Sequence, residues 1–232
     1  MRTIIYVDGY NLYYSMLTKT KHKWVDIHKL FTHCIVKTIE PKSDVICLKY
    51  FTSPIKANYC SDPEAPNRQR KYHNALEAVY GDKIKIIYGN HQEKETKFII
   101  SDGEMKGSVI RGKTLEEKKT DVNLSIQMYR DVCSNKVDQI VLVSNDSDFA
   151  PAISAIREDF CEMKIGVVLP GYPNSVRKSK ELTNVADWHR EYIRLEELIA
   201  AQMPPSIQNR KNKTIRTSGG IRAETYGFGL SV

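Results

Sequence analysis

Two short stretches of this chain, TIIYV at Thr3–Val7 and QIVLVS at Gln139–Ser144, are apolar almost without interruption. A strand with one face in water alternates apolar and polar residues, whereas a strand covered on both faces need not. Such runs therefore constrain the fold to a sheet buried between two layers. Further strand-like runs fall at Val45–Phe51, Lys83–Tyr88 and Lys164–Leu169. Helix-period segments separate them, near Asn11–Leu17, Asp26–Thr38, Asn67–Val79, Asp121–Cys133 and Phe149–Arg157. Strand–helix alternation of this kind predicts an α/β fold with a parallel central sheet and helices on both faces.

Two segments break the rhythm. His91–Lys119 carries strand-like KFII and SVIRG around Asp102-Gly103, which predicts a β-hairpin insertion projecting from the sheet, at about 91–119. After Pro204-Pro205 the chain loses any sustained period and is rich in Gly, Ser, Thr and basic residues. Residues 206–232 are accordingly expected to be a basic, flexible extension, or one ordered by a protein partner. The preceding 1–205 are expected to form a single domain.

The 232 residues, of which 41% are hydrophobic, suffice for one good core. Lys and Arg number 35 against 28 Asp and Glu, a net charge of +7. That excess favours an anionic partner, and with no basic amphipathic helix in view nucleic acid is favoured over a membrane. The five cysteines, Cys34, Cys47, Cys60, Cys133 and Cys161, form no C-x-x-C pair, and most of them read as small core residues in a reducing compartment. The opening MRTIIYVDG has too short an apolar run for a signal peptide, and no stretch approaches transmembrane length. The expectation is a cytoplasmic protein.

Acidic residues stand where the two most apolar strands end. TIIYV runs into Asp8-Gly9-Tyr10-Asn11, and IVLVS into Asn145-Asp146-Ser147-Asp148. In open α/β sheets, ligands sit beyond the carboxyl ends of the strands, near the switch in strand order, so these ends can converge. A third acid, Asp121, opens a helix that follows the insertion, with Thr120 expected as its N-cap. Each acid has an ordinary explanation as well: Asp8 and Asn11 can cap the first helix, Asp146 to Asp148 the next, and Asp121 can favour a helix N-terminus. Taken together, crowded carboxylates repel unless a cation neutralises them. Oxygen-rich sites of this kind suit Mg²⁺ or Mn²⁺, and such an ion suits hydrolysis of a phosphodiester. An EF-hand loop does not fit, because Ala150-Pro151 follows where Asp or Asn and Gly are required.

The segments YVDGYNLYYSML, EEKKTDVNLSIQMYRD and VLVSNDSDFAPAISAIRE resemble the three signature segments of the NYN-domain family, a branch of the PIN-like nucleases. The intervening YFTSPIKANYCSDPEAPNRQRKYHNALE and the C-terminal IGVVLPGYPNSVRKSKELTNVADWHREYIRLEELIAAQMP resemble segments of bacterial members. The resemblance spans roughly residues 1–205. It implies a PIN-like three-layer α/β/α fold and a metal-dependent ribonuclease site. Residue by residue, it implies that Asp8, Asp121, Asp146 and Asp148 are catalytic and hold the metal, with Asn11 and Ser144 in support. Two departures stand out: the insertion lacks the C-x-x-C pair of many similar sequences, and SND replaces the more usual SGD, so that Asn145 either adds a side-chain contact at the site or reshapes the turn.

Candidates for holding RNA are Tyr10 and Asn145, the helical Arg68, Arg70 and Lys71, the insertion's Lys97, Arg111 and Lys113, and Arg177 with Lys178. Basic side chains hold phosphates, and exposed aromatics such as Tyr10, Tyr13 or Tyr172 can stack unpaired bases. The six histidines show no ligand spacing, and none is assigned to catalysis. The function expected is a Mg²⁺- or Mn²⁺-dependent endoribonuclease acting on single-stranded or structured RNA. The alternative is a non-catalytic RNA-binding or assembly module on the same fold. A haloacid-dehalogenase-type phosphatase fits less well, since Tyr10 stands where a second Asp belongs. A homodimer is a further expectation from the resemblance.

Overall fold

The computed structural model describes residues 1–18, 20–60, 62–173, 179–208 and 214–217. Its centre is a six-stranded sheet in the order β3-β2-β1-β6-β7-β8. The strands are β1 (Arg2–Asp8), β2 (Asp44–Thr52), β3 (Ile84–Tyr88), β6 (Gln139–Val143), β7 (Lys164–Val168) and β8 (Trp188–Arg190). All five pairings between them are parallel. The chain builds β1, β2 and β3 outward in one direction, then returns to lay β6 on the other side of β1. The boundary between β1 and β6 is thus the topological switch point of a doubly wound sheet.

The apolar runs occupy the centre, as their composition requires. Ile5, Tyr6, Val7 and all of Ile140–Val143 are fully buried. Each such aliphatic side chain contributes on the order of 1.5–3 kcal/mol by leaving water. Successive residues point to opposite faces, so β1 serves two cores. Ile5 and Val7 join Leu12, Met16, Phe31 and Leu76 on one side, while Ile4 and Tyr6 join Leu124, Met128, Phe149 and Ile153 on the other. The first layer comprises α1 (Gly9–Leu12), α2 (Ile27–Lys29), α3 (Lys37–Ile39) and α4 (Ala65–Tyr80). The second comprises α5 (Thr120–Cys133) and α6 (Ala150–Asp159). This is the three-layer α/β/α arrangement expected. The predicted helices near Asn11–Leu17 and Asp26–Thr38 are there, but both widen into π-helical turns, over Tyr13–Leu17 and Leu30–Val36.

One buried polar network fixes α5 against the sheet. Lys49, on β2, pairs with Asp131 at 2.5 Å, and Asp131 also accepts from the Tyr6 hydroxyl at 2.7 Å and from Gln127 at 2.9 Å. Three donors on one carboxylate satisfy charges that would be expensive to bury unpaired. The clamp sits towards the C-terminal end of α5, so the helix's first turn is held in a set position over the sheet edge.

The insertion is a hairpin longer than its sequence signal: β4 (Asn90–Ile99) and β5 (Val109–Lys118) pair antiparallel along their whole length. It leaves the sheet at Gly89, immediately after β3. A Cβ there would lie 2.1 Å from Thr120 Oγ1 and 2.7 Å from Ser53 Oγ, so only glycine lets the two stems approach so closely. The chain re-enters the domain through Lys119, whose φ of 76° is left-handed. Thr120, expected as the N-cap of α5, is instead the first helical residue, because Lys119 takes the cap position.

Beyond β7, the chain forms α7 (Lys180–Asn184), then β8, then α8 (Leu195–Ala200), none of which has a strong periodic signal. The segment read from sequence as an extension without regular structure begins with a small antiparallel pair, β9 (Ser206–Gln208) and β10 (Thr214–Arg216). Ile207 supplies the anchor, buried in the core on the α4 side, and Thr217 is buried as well. Residues 218–232 lie outside the described ones. Among the described residues, no helix is long and apolar enough to cross a membrane.

Candidate functional site

Asp8 ends β1 at the switch point and is buried. Its two carboxylate oxygens have separate duties. Oδ1 accepts from the Asn11 amide at 3.0 Å and caps α1, while Oδ2 accepts from Ser144 Oγ at 2.9 Å. Gly9 follows because the chain must turn against β2, where a Cβ would lie 2.6 Å from the Phe51 carbonyl oxygen. Capping and site-building are therefore both true of Asp8.

Ser144 closes β6 and passes the connection on. Its Oγ also accepts from the Asp146 amide at 3.1 Å, and the Asn11 side-chain oxygen accepts from the Asn145 amide at 3.1 Å. The turn after β6 is thus pinned to the turn after β1 by two side chains, Ser144 and Asn11. Asp146 caps the short helical turn Ser147–Phe149, accepting from the Asp148 amide at 3.0 Å. Asp148 itself is exposed. Asn145 donates to the Pro170 carbonyl at 2.6 Å, and its Oδ1 is buried with no hydrogen-bond partner.

Asp121 joins from the first turn of α5. Its side chain is exposed, yet partial desolvation raises its pKa, and Asp146, Glu117 and Asp148 raise it further. Burial is also the main cause at Asp8, whose carboxyl is pushed up to about 6; the bonds from Asn11 and Ser144 oppose the rise, and Asp121 and Glu117 add to it. The charged groups that act most strongly on both residues are other carboxylates. Such a grouping suits a cation.

Glu117 was not singled out from sequence. It lies near the end of β5, inside the hairpin, where a run of Glu and Lys reads as a solvated face. The fold brings it back to the acids: its Oε1 accepts from Ser53 Oγ at 2.8 Å and from the Thr120 hydroxyl. The only local signal was its position four residues before Asp121, and that spacing gains meaning only through the left-handed turn at Lys119.

The structure therefore gathers Asp8, Asn11, Asp121, Ser144, Asn145, Asp146 and Asp148 at one sheet edge, together with Glu117. Tyr10 borders them. Its hydroxyl lies 2.8 Å from His91 Nε2, and His91 Nδ1 lies 3.0 Å from the Pro54 carbonyl. A carbonyl only accepts, so Nδ1 carries the proton and Nε2 accepts from Tyr10. Of the basic residues, Arg68 lies near Tyr13 and pairs with Asp62. Arg70 bonds Asn67 on the exposed side of α4, and Lys71 is exposed there too. Lys97 and Arg111 face each other across the outer hairpin, and Lys113 pairs with Glu93 at 3.7 Å. Arg177 and Lys178 lie outside the described residues.

Asp8, Asp121, Asp146 and Asp148 carry the oxygen donors that a divalent ion would require at this edge. Among the described residues, no three His, Cys, Asp or Glu side chains already converge closely enough to share one. Their donors are all hard oxygens, the kind Mg²⁺ and Mn²⁺ prefer, and Mg²⁺ needs only one or two carboxylates when water and phosphate complete its shell. Donor chemistry and like-charge crowding fit the ion. Two surface hollows, one lined by Ser154, Arg157, Asn184 and Asp187 and one on the hairpin at Lys94–Lys97, lie on other elements.

Comparison with known proteins assigns the chain to a family. A curated relative from Pseudomonas putida (strain DSM 28022 / S16), named 6-hydroxy-3-succinoylpyridine 3-monooxygenase HspA, is 34% identical over 228 residues, covering 91% of this chain and 73% of its own. A solved structure, the protein of unknown function VPA0982 from Vibrio parahaemolyticus RIMD 2210633, is 20% identical, with a TM-score of 0.49 over 84% of this chain and 94% of that one. The model of the NYN domain matches residues 2–193, and the chain belongs to the NYN-domain family.

Proposed function

We propose that this chain is a divalent-metal-dependent ribonuclease that hydrolyses RNA phosphodiester bonds. The observation that carries the reading is the joining of the two acidic turns at the switch point, where Ser144 Oγ donates to Asp8 Oδ2 and accepts from the Asp146 amide. Burial and its neighbours Asp121 and Glu117 push the Asp8 carboxyl up to about 6, against the opposing bonds from Asn11 and Ser144. A protein gathers negative charge at such an edge, at a cost to its own folding, when a cation is to be held there.

Asp8, Asp121, Asp146 and Asp148 would hold Mg²⁺ or Mn²⁺. When bound, the ion neutralises the cluster, polarises the phosphate, activates water and stabilises the departing oxygen. The chain's own residues supply orientation. Ser144 and Asn11 hold Asp8 in one rotamer and fix the β6 turn relative to it. Asp148 is exposed and so would be open to an approaching polymer. Water adds to phosphorus, the bond to the 3′ oxygen breaks, and a 5′-phosphate and a 3′-hydroxyl remain.

The name of the Pseudomonas putida relative raises a second reading, oxygenation of a small aromatic compound. It draws on 34% identity over most of the chain. Such chemistry needs a reductant and dioxygen. The turn after β1 here is Asp8-Gly9-Tyr10-Asn11 rather than the glycine-rich turn that receives a dinucleotide.

Purified protein incubated with end-labelled RNA, with Mn²⁺ or with EDTA, separates the readings. Cleavage with Mn²⁺ that disappears with EDTA and with Asp146→Asn supports hydrolysis. Cleavage by Asp146→Asn at the native rate would sink it. Binding of RNA without cleavage favours a non-catalytic module, and consumption of NADH on addition of a hydroxypyridine favours the oxygenase.

A further inference from the structure

Beside the acids runs a row of aromatic rings that the hydrolytic reading leaves unused. Tyr14, on the π-helical turn after α1, is 51% exposed and takes no part in the hydrophobic core. Its ring is nevertheless held. Tyr10 packs against it at a tilt of 39° with ring centres 5.7 Å apart, and Tyr13 meets it edge to face at 5.4 Å. Tyr10 is itself fixed by His91 at the base of the hairpin, and Tyr13 packs against the core. An aromatic side chain clamped on two sides and bare on the third presents a rigid face whose ordering is already complete.

The position of that face matters. Tyr10 lies two residues beyond Asp8 on the helix that Asp8 caps, and its partner His91 stands opposite Glu117 across the hairpin. The bare ring therefore stands on the helical segment that begins at Asp8, on the α4 side of the sheet. A flat apolar ring flanked by sites for phosphate is the arrangement that binds a nucleotide strand by stacking. A base within a duplex has both faces covered by its neighbours, so only an unpaired or splayed base can use the ring.

We propose that Tyr14, backed by Tyr10 and Tyr13, is a base-stacking platform that receives one unpaired nucleobase next to the scissile phosphate and makes the protein selective for single-stranded substrate. The proposal rests on the phosphodiester reading of the adjacent acids and names the substrate class of that site.

The test uses the full chain in an Asp146→Asn background, so that binding is read without cleavage. Fluorescence anisotropy is followed with a short single-stranded RNA, with its duplex, and with strands carrying one abasic nucleotide at each position in turn. Tyr14→Ala is expected to weaken single-strand binding roughly ten-fold or more, Tyr14→Trp to retain it, and duplex binding to be unchanged by either. One abasic position should weaken binding to the Tyr14-containing protein and leave Tyr14→Ala indifferent. Equal single-strand affinity for Tyr14→Ala, or an abasic walk with no such position, overturns the platform and leaves hydrolysis standing. Tyr14-dependent binding together with no RNA cleavage by the unsubstituted chain overturns hydrolysis and leaves the platform. A thermal melt of Tyr14→Ala matching that of its parent excludes misfolding as the cause of weaker binding.

Discussion

Ser144 Oγ donates to Asp8 Oδ2 at 2.9 Å, joining residues 136 positions apart across the switch point of the sheet. The same oxygen accepts from the Asp146 amide, so one hydroxyl sets the relation between the two acidic turns. Ser144→Ala removes a bond that favours the ionised form of Asp8. The acid limb of the cleavage pH profile is expected to move to higher pH, and the rate at neutral pH to fall about ten-fold, the value of one hydrogen bond to a charged group. A pH–rate profile identical to that of the parent protein would contradict this role.

The raised pKa of Asp8 is also a statement about stability. In the unfolded chain this carboxyl ionises near 3.8, but in the folded protein it does so near 6. Between those values the folded state holds a proton that the unfolded state has lost, so ionisation opposes folding above about pH 6, and that penalty fades as pH falls towards 4. Asp8→Asn is therefore expected to stabilise the metal-free protein at pH 7.5, by on the order of 1–3 kcal/mol. At pH 4 the gain should vanish. Urea unfolding in EDTA at the two pH values checks it, and a gain that is the same at both would refute the linkage.

The hairpin stems respond to glycine in opposite directions. Lys119 pays for a left-handed φ of 76° that glycine adopts freely, so Lys119→Gly is expected to be stabilising by about 0.5–1 kcal/mol. Gly89→Ala should destabilise by more than that, because its Cβ would collide with Thr120 and Ser53, the two residues that hold Glu117. Activity should fall with Gly89→Ala and persist with Lys119→Gly. Thermal melts and cleavage rates of the two variants decide the matter.

His28 is buried with neither ring nitrogen hydrogen-bonded, stacked on Tyr80 at 4.1 Å between centres. Burial lowers its pKa from 6.5 to about 4, and His33 and Lys83 push the same way against Asp26. Its neutral form is the one that folds, so stability falls as pH drops from about 6.5 towards 4. His28→Phe keeps the stacking and removes two unpaired polar atoms. It is expected to raise stability by about 1–3 kcal/mol at neutral pH, and by more at pH 5. A variant less stable than its parent at pH 5 would show that the ring nitrogens have partners after all.

Much of this molecule was legible in the chain because the relevant signals are local. The apolar runs at Thr3–Val7 and Gln139–Ser144 could only be strands covered on both faces, and they became β1 and β6 at the centre of the sheet. The acids at their ends were visible for the same reason: a charge following a buried run marks where the chain leaves the core. What the sequence by itself determined is thus the class of fold, the strands and helices that compose it, and the placement of Asp8, Asp121, Asp146 and Asp148 at the ends of those elements.

The tertiary structure decided the rest, since it depends on which distant segments meet. Glu117 reads as one charge among many until the stems close at Gly89 and Lys119 and carry it to Asp8 and Asp121. Tyr13 and Tyr14 are indistinguishable as neighbours in sequence, but the π-helical turn directs the first into the core and leaves the second bare. Ile207 sits in a stretch without periodicity and is anchored only because α4 offers it an apolar surface. Periodicity reports which way a residue faces within its own element; strand order and close backbone approach determine what it faces.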